Sequence, residues 1–143
     1  MKITLKMLEA KRACITARNW FEKKFGTETE YQDVLDALAA ENRVDWALWL
    51  LQIFGGTTEK RVLDGQISGH LFFCGSLEIK GALEVSGFLA AGSGIKAGEG
   101  IKAGAGIKAG GGIEAGEGIE AGLSIACKAT LSSGLRVFAG LCI

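Results

Sequence analysis

The sequence predicts an α+β protein in which a small helical unit precedes a triangular parallel β-helix, or β-solenoid, of about four coils. Two observations carry this prediction. A six-residue repeat fills the second half of the chain, and all three tryptophans and the single tyrosine lie within the first 50 residues. We therefore divide the 143 residues into a helical domain at 1–56, a connector leading into the solenoid at 57–70, and a hexapeptide-repeat domain at 71–143.

The first two helices are predicted from the residues at their ends. Thr4 is a suitable N-cap for a helix that runs to about Ala13, and Thr16 is a suitable N-cap for a second helix. Gly26 ends that second helix, because glycine is the usual residue just after a helix C-terminus. The helical domain is therefore expected to begin with two short helices.

Two more helices complete the helical domain. A third is predicted over about Glu30 to Ala40, and a fourth from an N-cap at Asp45 to a stop at Gly55. In the fourth helix apolar residues recur at spacings of three, four and seven, which predicts a buried face. These residues are Trp46, Trp49, Leu50 and Ile53. We expect the tryptophans, Trp20 included, to belong to the core, and we expect a domain this small to depend on packing against the solenoid.

The second half of the chain repeats every six residues. From Ser93 five consecutive hexads read SGIKAG, EGIKAG, AGIKAG, GGIEAG and EGIEAG. Stepping by six from Leu71 to Ile143 meets thirteen positions, and all of them are aliphatic. A period of six fits one side of a triangular solenoid, so three hexads make one coil.

Each hexad has inward, outward and corner positions. The aliphatic residue and the residue two later point inward, the residue between them points outward, and glycines lie at the corners. Outward residues of neighbouring coils form two columns in which unlike charges alternate, which favours register and solubility more than stability. The first column is Glu78, Lys96 and Glu114, and the second is Glu84, Lys102 and Glu120.

One acidic pair departs from this alternation. Glu99 and Glu117 are predicted to lie one coil apart at a corner, close enough to repel each other. Two interpretations remain open. The pair either faces a basic partner or is simply tolerated at a solvated corner.

The final coil changes from charged to apolar residues. No helix comes after it to cover its last strands, and an open β edge offers unpaired N–H and C=O groups to another strand. We therefore expect this coil to mediate self-association or partner binding. In the alternative, its apolar residues fold over the end and plug it. The candidate interface residues are Leu123, Leu135, Phe138, Leu141 and Ile143.

Composition argues against several classes of function. Sixteen Lys and Arg residues balance sixteen Asp and Glu residues, so direct nucleic-acid binding is not expected. The four cysteines are far apart, no CxxC pair occurs and His70 is the single histidine, so neither a metal site nor a disulfide framework is expected. No signal peptide or membrane span is recognisable, and we expect a cytoplasmic protein with reduced thiols.

The hexads also bear on whether the protein is an enzyme. Hexapeptide β-helices include acyltransferases, and the chain is similar to that class in period only. Their small residue lies two before the aliphatic one, whereas alanine lies two after it here, and no long loop interrupts the coils to build a cleft. A single histidine at the first coil is more often structural than catalytic. We therefore expect no enzyme, no cofactor and no catalytic residue.

Two resemblances bear on function. The stretch GSLEIKGALEVSG, residues 75–87, resembles the hexads of bactofilins, which are polymer-forming bacterial cytoskeletal β-helices. The segments LEAKRAC, WFEKKFG and DWALWLL, followed by GIKAG-type hexads, resemble small proteins of phages and other mobile elements. The second resemblance implies a non-catalytic, anti-CRISPR-like binder that blocks a host nuclease or CRISPR complex sterically. The first implies a self-assembling structural protein, in which the final coil joins copies into a homo-oligomer.

Overall fold

A computed structural model describes residues 1–140, and it confirms the predicted fold class. Four helices precede parallel strands that stack as a solenoid of about four turns. Two short strands, β1 (Lys2–Thr4) and β2 (Glu28–Glu30), pair antiparallel within the helical domain. The helices are α1 (Leu5–Ala10), α2 (Ile15–Phe25), α3 (Tyr31–Ala40) and α4 (Val44–Phe54).

The predicted N-cap of α1 is confirmed, whereas that of α2 is wrong. The Thr4 hydroxyl accepts a hydrogen bond of 3.2 Å from the Met7 N–H. Helix α1 ends at Ala10, earlier than predicted, because the chain turns back there with Arg12 at a φ of 59°. Helix α2 consequently starts early as well, with Cys14 as its N-cap and Thr16 inside its first turn.

For α4, too, one predicted helix end is wrong and the other is confirmed. Arg43 is its N-cap, so the prediction of Asp45 is wrong, and Asp45 lies in the first turn, where a carboxylate is favourable near the helix N-terminus. The predicted stops at Gly26 and Gly55 are confirmed. Both glycines have positive φ, 77° and 73°, and their N–H groups bond back into α2 and α4.

Twelve strands build the solenoid over the described residues. Most are three residues long, as expected for one side of a triangular coil. The strands are β3 (Lys60–Ile67), β4 (Leu71–Phe73), β5 (Ser76–Val85), β6 (Leu89–Ala91), β7 (Ile95–Ala97), β8 (Ile101–Ala103), β9 (Ile107–Ala109), β10 (Ile113–Ala115), β11 (Ile119–Ala121), β12 (Ile125–Cys127), β13 (Leu131–Ser133) and β14 (Val137–Ala139).

The predicted 18-residue register is confirmed on all three faces of the prism. Leu71 pairs with Leu89, and Leu83 pairs with Ile101, which in turn pairs with Ile119. Face A contains β4, β6, β9 and β12. Face B contains the first half of β5 with β7, β10 and β13, and face C contains the second half of β5 with β8, β11 and β14.

Strand β3 adds a layer above the first predicted coil. It lies in the segment predicted as a connector and pairs in parallel with β5, with Arg61 opposite Leu77 and Gln66 opposite Glu84. It therefore covers the first edge of faces B and C. The first edge of face A lies under α3 instead, where Phe72 is buried.

The bore of the prism is apolar, as predicted. Every inward residue from Leu71 to Ile125 is buried, and the first coil contributes the bulky Phe73, Ile79 and Val85 where later coils contribute alanine. Leu131 and Val137 are only half-buried, because β13 and β14 have a neighbouring strand on one side only among the described residues.

Candidate functional site

The last described coil ends in an open β edge. In the coil before it, the Ile119 N–H donates to the Arg136 carbonyl at 2.9 Å, and the Ala121 carbonyl accepts from the Gly140 N–H at 3.0 Å. The equivalent groups of β14 are the Val137 N–H and the Ala139 carbonyl. Within residues 1–140 no further strand lies beyond β13 or β14 to receive them. Backbone donors and acceptors are therefore presented along the axis of the prism.

Exposed apolar side chains lie beside this edge. Leu135 is 77% exposed and Phe138 is 58% exposed, and both line one shallow hollow on face C. Leu123, which is 46% exposed, follows β11 on the other side of the same face. We call these three residues the terminal-coil surface. Leu141 and Ile143, which were predicted with them, lie outside the described residues.

The outward positions of the last coil carry no charge. They are Ala126 on face A, Ser132 on face B and Phe138 on face C. In the coils above, the same positions on faces B and C hold only Lys and Glu. Phe138 thus replaces a charged residue at the end of the column that contains Glu120.

The two charged columns lie where the repeat places them. Lys96 Nζ is 3.8 Å from Glu114 Oε1 on face B, and Lys102 Nζ is 4.0 Å from Glu120 Oε1 on face C. Both pairs are exposed, so each contributes at most about 1 kcal/mol. Pairing of Glu78 with Lys96 and of Glu84 with Lys102 continues the columns upward.

Glu78 has a second partner that the repeat did not predict. Lys60, from β3, donates a hydrogen bond to its carboxylate, and together with the positive charge of Lys60 and Lys96 this lowers the pKa of Glu78. Lys60 precedes the first hexad, so the six-residue period gave no signal for it. Strand β3 therefore supplies a cation to the top of the charged column from a position beside it, because the β3 residue in register with Glu78 is Val62.

Glu99 and Glu117 lie one coil apart at a corner. The Glu117 N–H donates to the Glu99 carbonyl at 3.2 Å, so the two backbones are stacked, and both residues are exposed. Among the described side chains, neither carboxylate has a cation within 4.0 Å. The pair therefore forms a small acidic site on the corner.

The helical domain carries a second apolar surface. A groove of about 390 Å³ opens between the four helices, and we call it the tryptophan groove because Trp20, Trp46 and Trp49 line it. The prediction that these tryptophans are core residues is only partly confirmed, since all three pack against the core but remain half-buried. Helix α4 fully buries Ala47, Leu50 and Leu51 instead, which turns its tryptophans to the flank of the helix.

Polar contacts hold two of these indoles in place. The Arg43 guanidinium carbon lies 4.5 Å from the centre of the Trp46 ring, a cation–π contact. The Trp20 Nε1–H donates to Glu41 Oε2 at 2.7 Å, and Lys24 bonds to the other oxygen of Glu41. Both bonds lower the pKa of Glu41. Defined contacts therefore hold the wall of the groove.

His70 and Cys74 lie at the junction between the helices and the solenoid. His70 Nδ1 accepts from the Phe88 N–H at 2.9 Å, so its proton is on Nε2, which donates to the side-chain oxygen of Asn42. The ring of His70 therefore bridges Phe88 of the solenoid and Asn42 of the helical domain. Cys74 is buried nearby, and burial raises the pKa of its thiol, which makes it a poor nucleophile at neutral pH.

Metal-binding clusters and membrane-spanning helices are both absent from the described part of the chain. Between residues 1 and 140, no three His, Cys, Asp or Glu side chains converge as metal ligands. None of the four helices in that range is long and apolar enough to span a bilayer.

Comparison with known proteins informs the helical domain alone. No curated protein and no solved structure matches the chain. Residues 1–55, which end at the helix stop Gly55, match the family model of the YdhT N-terminal domain.

Proposed function

We propose that this protein is a non-catalytic interaction protein whose β-solenoid presents the terminal-coil surface to a protein partner. The observation that carries the proposal is the exposure of Leu123, Leu135 and Phe138 beside face C, next to an open β edge. Large exposed apolar side chains beside unpaired backbone groups favour association with another polypeptide.

The rigidity of the solenoid supports this role. Each strand is held by neighbours along the axis, and the inward side chains are buried from Leu71 to Ile125. A surface built on such a scaffold loses little conformational freedom on binding, which favours affinity. The charged columns on faces B and C keep the rest of the prism soluble.

The finer form of the proposal is inhibition of a host defence complex in the bacterial cytoplasm. It rests on the resemblance to phage and mobile-element proteins, and steric blockade requires only a rigid body with one binding surface. The test is phage plating on bacteria with an active CRISPR–Cas or other nuclease defence, with and without the chain. Increased plating supports inhibition, and unchanged plating across the defence systems tested rejects it.

The interaction role itself is tested with paired variants. Leu135→Asp and Phe138→Asp place charges on the terminal-coil surface, whereas Glu120→Ala changes an exposed residue one coil away. We expect both Asp variants to abolish association measured by sedimentation and by co-purification, and we expect Glu120→Ala to preserve it. If wild type and these three variants behave alike in both measurements, the terminal-coil surface is not an interface.

A further inference from the structure

We propose that the partner at the terminal-coil surface is a second copy of this chain, joined tail to tail with Phe138 on a two-fold axis. This inference rests on the proposed function and names the partner that occupies the terminal-coil surface. Strand β14 of one molecule lies antiparallel to β14 of the other, so face C continues across the seam. The product is a closed dimer with a helical domain at each end.

The backbone of β14 is already oriented for this pairing. Among the described residues, its unpaired groups belong to the inward Val137 and Ala139, as the bonds made by Ile119 and Ala121 in the preceding coil show. In an antiparallel pair centred on Phe138, Val137 of one molecule faces Ala139 of the other and the two residues exchange both N–H···O bonds. The two-fold axis generates a second such pair, in which Ala139 of the first molecule faces Val137 of the other and the same two bonds form.

The side chains fit the same register. Hydrogen-bonded and non-hydrogen-bonded residue pairs alternate along an antiparallel ladder. The pair at the centre, which lies between two hydrogen-bonded pairs, is therefore non-hydrogen-bonded, and its side chains approach each other most closely. That centre is Phe138, so its exposed ring meets the ring of its symmetry mate on the outer surface. Aromatic cross-strand pairs of this kind are favourable. The inward Val137 and Ala139 meet each other and extend the apolar bore.

The charge pattern favours a second copy over other occupants. A strand that pairs with itself across a two-fold axis places its outward residue opposite an identical one, and like charges opposite each other are destabilising. Glu84, Lys102 and Glu120 on face C each carry a charge, and Phe138 does not. The other outward residues of the last coil, Ala126 and Ser132, are also uncharged. Among β5, β8, β11 and β14, strand β14 is therefore the one on face C best suited to face its own copy.

At the opposite end of the solenoid, β3 has an unpaired outer edge over faces B and C among the described residues, but α3 covers face A. A second copy therefore cannot stack on all three faces there, and coaxial growth of the prism stops at that end. Gln32, on α3, donates from Nε2 to the Phe72 carbonyl at 2.7 Å and accepts from the Cys74 N–H at 3.0 Å. These two bonds occupy the first edge of face A, and α3 lies where a strand of another copy would stack. Head-to-tail growth is blocked there, and an isologous contact at the other end gives a dimer.

Sedimentation of the full chain tests the dimer. We expect a species of twice 15.0 kDa at micromolar concentration. Phe138→Ala should weaken dimerisation about tenfold or more, and Phe138→Asp should leave a monomer, because two carboxylates would meet on the axis. Glu120→Ala, in the same column one coil away, should remain dimeric. Thermal melting by circular dichroism of each variant establishes that the fold is retained.

Cross-linking tests the axis itself. The Cα atoms of a non-hydrogen-bonded antiparallel pair lie about 4.5 Å apart, within the range that a disulfide spans. In a background with Cys14, Cys127 and Cys142 changed to serine, Phe138→Cys should give a covalent dimer under mild oxidation. The matched control Glu120→Cys lies one strand from the seam and should not cross-link.

The possible outcomes test the second copy and the interaction role separately. A monomer up to about 100 µM that still loses a heterologous partner on Phe138→Asp overturns the second copy and retains the interaction role. A dimer that cross-links equally through Glu120→Cys overturns the two-fold axis at Phe138. A dimer that persists from low to high salt supports the uncharged seam, whereas dissociation at high salt indicates an electrostatic contact and contradicts it.

Discussion

Gly116 illustrates how closely adjacent coils approach at the corners of the prism. A β-carbon built on Gly116 would lie 2.0 Å from the carbonyl oxygen of Gly98, one coil earlier. Gly134 repeats this approach to Gly116 in the next coil, with a corresponding distance of 1.9 Å. A glycine directly after an inward alanine or serine therefore cannot be replaced unless the backbone moves, whereas Gly100, just before Ile101, has more room.

We predict that Gly116→Ala destabilises the fold by about 2–4 kcal/mol, because the corner backbone must move to admit the new methyl group. Gly100→Ala is the matched control, since its β-carbon would meet the Gly118 carbonyl at 3.4 Å. We expect that control to cost below about 1 kcal/mol. Denaturant unfolding of both variants measures the difference, and equal losses would contradict the corner packing described above.

The bore and the outer surface should respond very differently to substitution. Ile107 is fully buried, and Ile107→Asp places a charge in the bore, so we predict a loss of at least about 4 kcal/mol of unfolding free energy. Lys102→Ala removes one exposed member of a charged column and should cost below about 1 kcal/mol. The measurement is the thermal midpoint of each variant. Similar midpoints would show that the inward and outward positions are wrongly assigned.

At the scale of elements, Gln32 on α3 acts as the missing strand above β4. Its amide bonds to the Phe72 carbonyl and to the Cys74 N–H, as a paired strand would. We predict that Gln32→Ala speeds hydrogen exchange of the Cys74 amide and costs about 1–3 kcal/mol, because buried backbone groups lose their partners. In Gln32→Glu the acceptor for the Cys74 N–H remains, so that amide should stay protected. Equal exchange in both variants contradicts this role.

Glu41 ties the end of α3 to α2 and gives the helical domain a pH dependence. Bonds from Lys24 and Trp20 lower its pKa below the ordinary 4.5. A lowered folded pKa means that the stabilising contribution is present above about pH 4.5 and is lost as pH falls through the folded value. We predict that the melting temperatures of wild type and Glu41→Gln differ at pH 7 and converge at low pH.

Glu22 provides the control for that experiment. It is exposed on α2, and among the described residues it has no ion pair. Glu22→Gln should therefore melt close to wild type at every pH. A gap between wild type and Glu41→Gln that stays constant down to about pH 3 would exclude titration of Glu41 as its source.

For the whole molecule, the helical domain decides whether the first edge of face A can associate. Removal of residues 1–55 would uncover the buried Phe72 and free the edge that Gln32 occupies. We predict that the fragment 56–143 forms species larger than the full chain does, because face A is then open at its first edge as well as at its last. Light scattering of the two proteins measures this, with circular dichroism to establish that the fragment keeps its strands. A folded fragment no larger than the full chain contradicts the capping role.

The sequence by itself determined the solenoid. A strand residue faces either the bore or water, so apolar and polar residues alternate in most hexads and the six-residue period predicts which side chains are buried. The inward Leu83, Ile101 and Ile119 and the charged columns were predictable for this reason. Only the tertiary structure decided where each helix begins, since Thr16 and Asp45 are good caps that the chain path leaves inside α2 and α4.

The tertiary structure also decided the contacts made outside the repeat. Strand β3 and the contacts of Gln32 and His70 join residues that are distant in sequence and follow no period. No local sequence pattern therefore predicts them. The half-burial of the tryptophans has a related reason. An apolar stripe on α4 shows that some face is buried, but the face that meets the core depends on how the other helices pack against it.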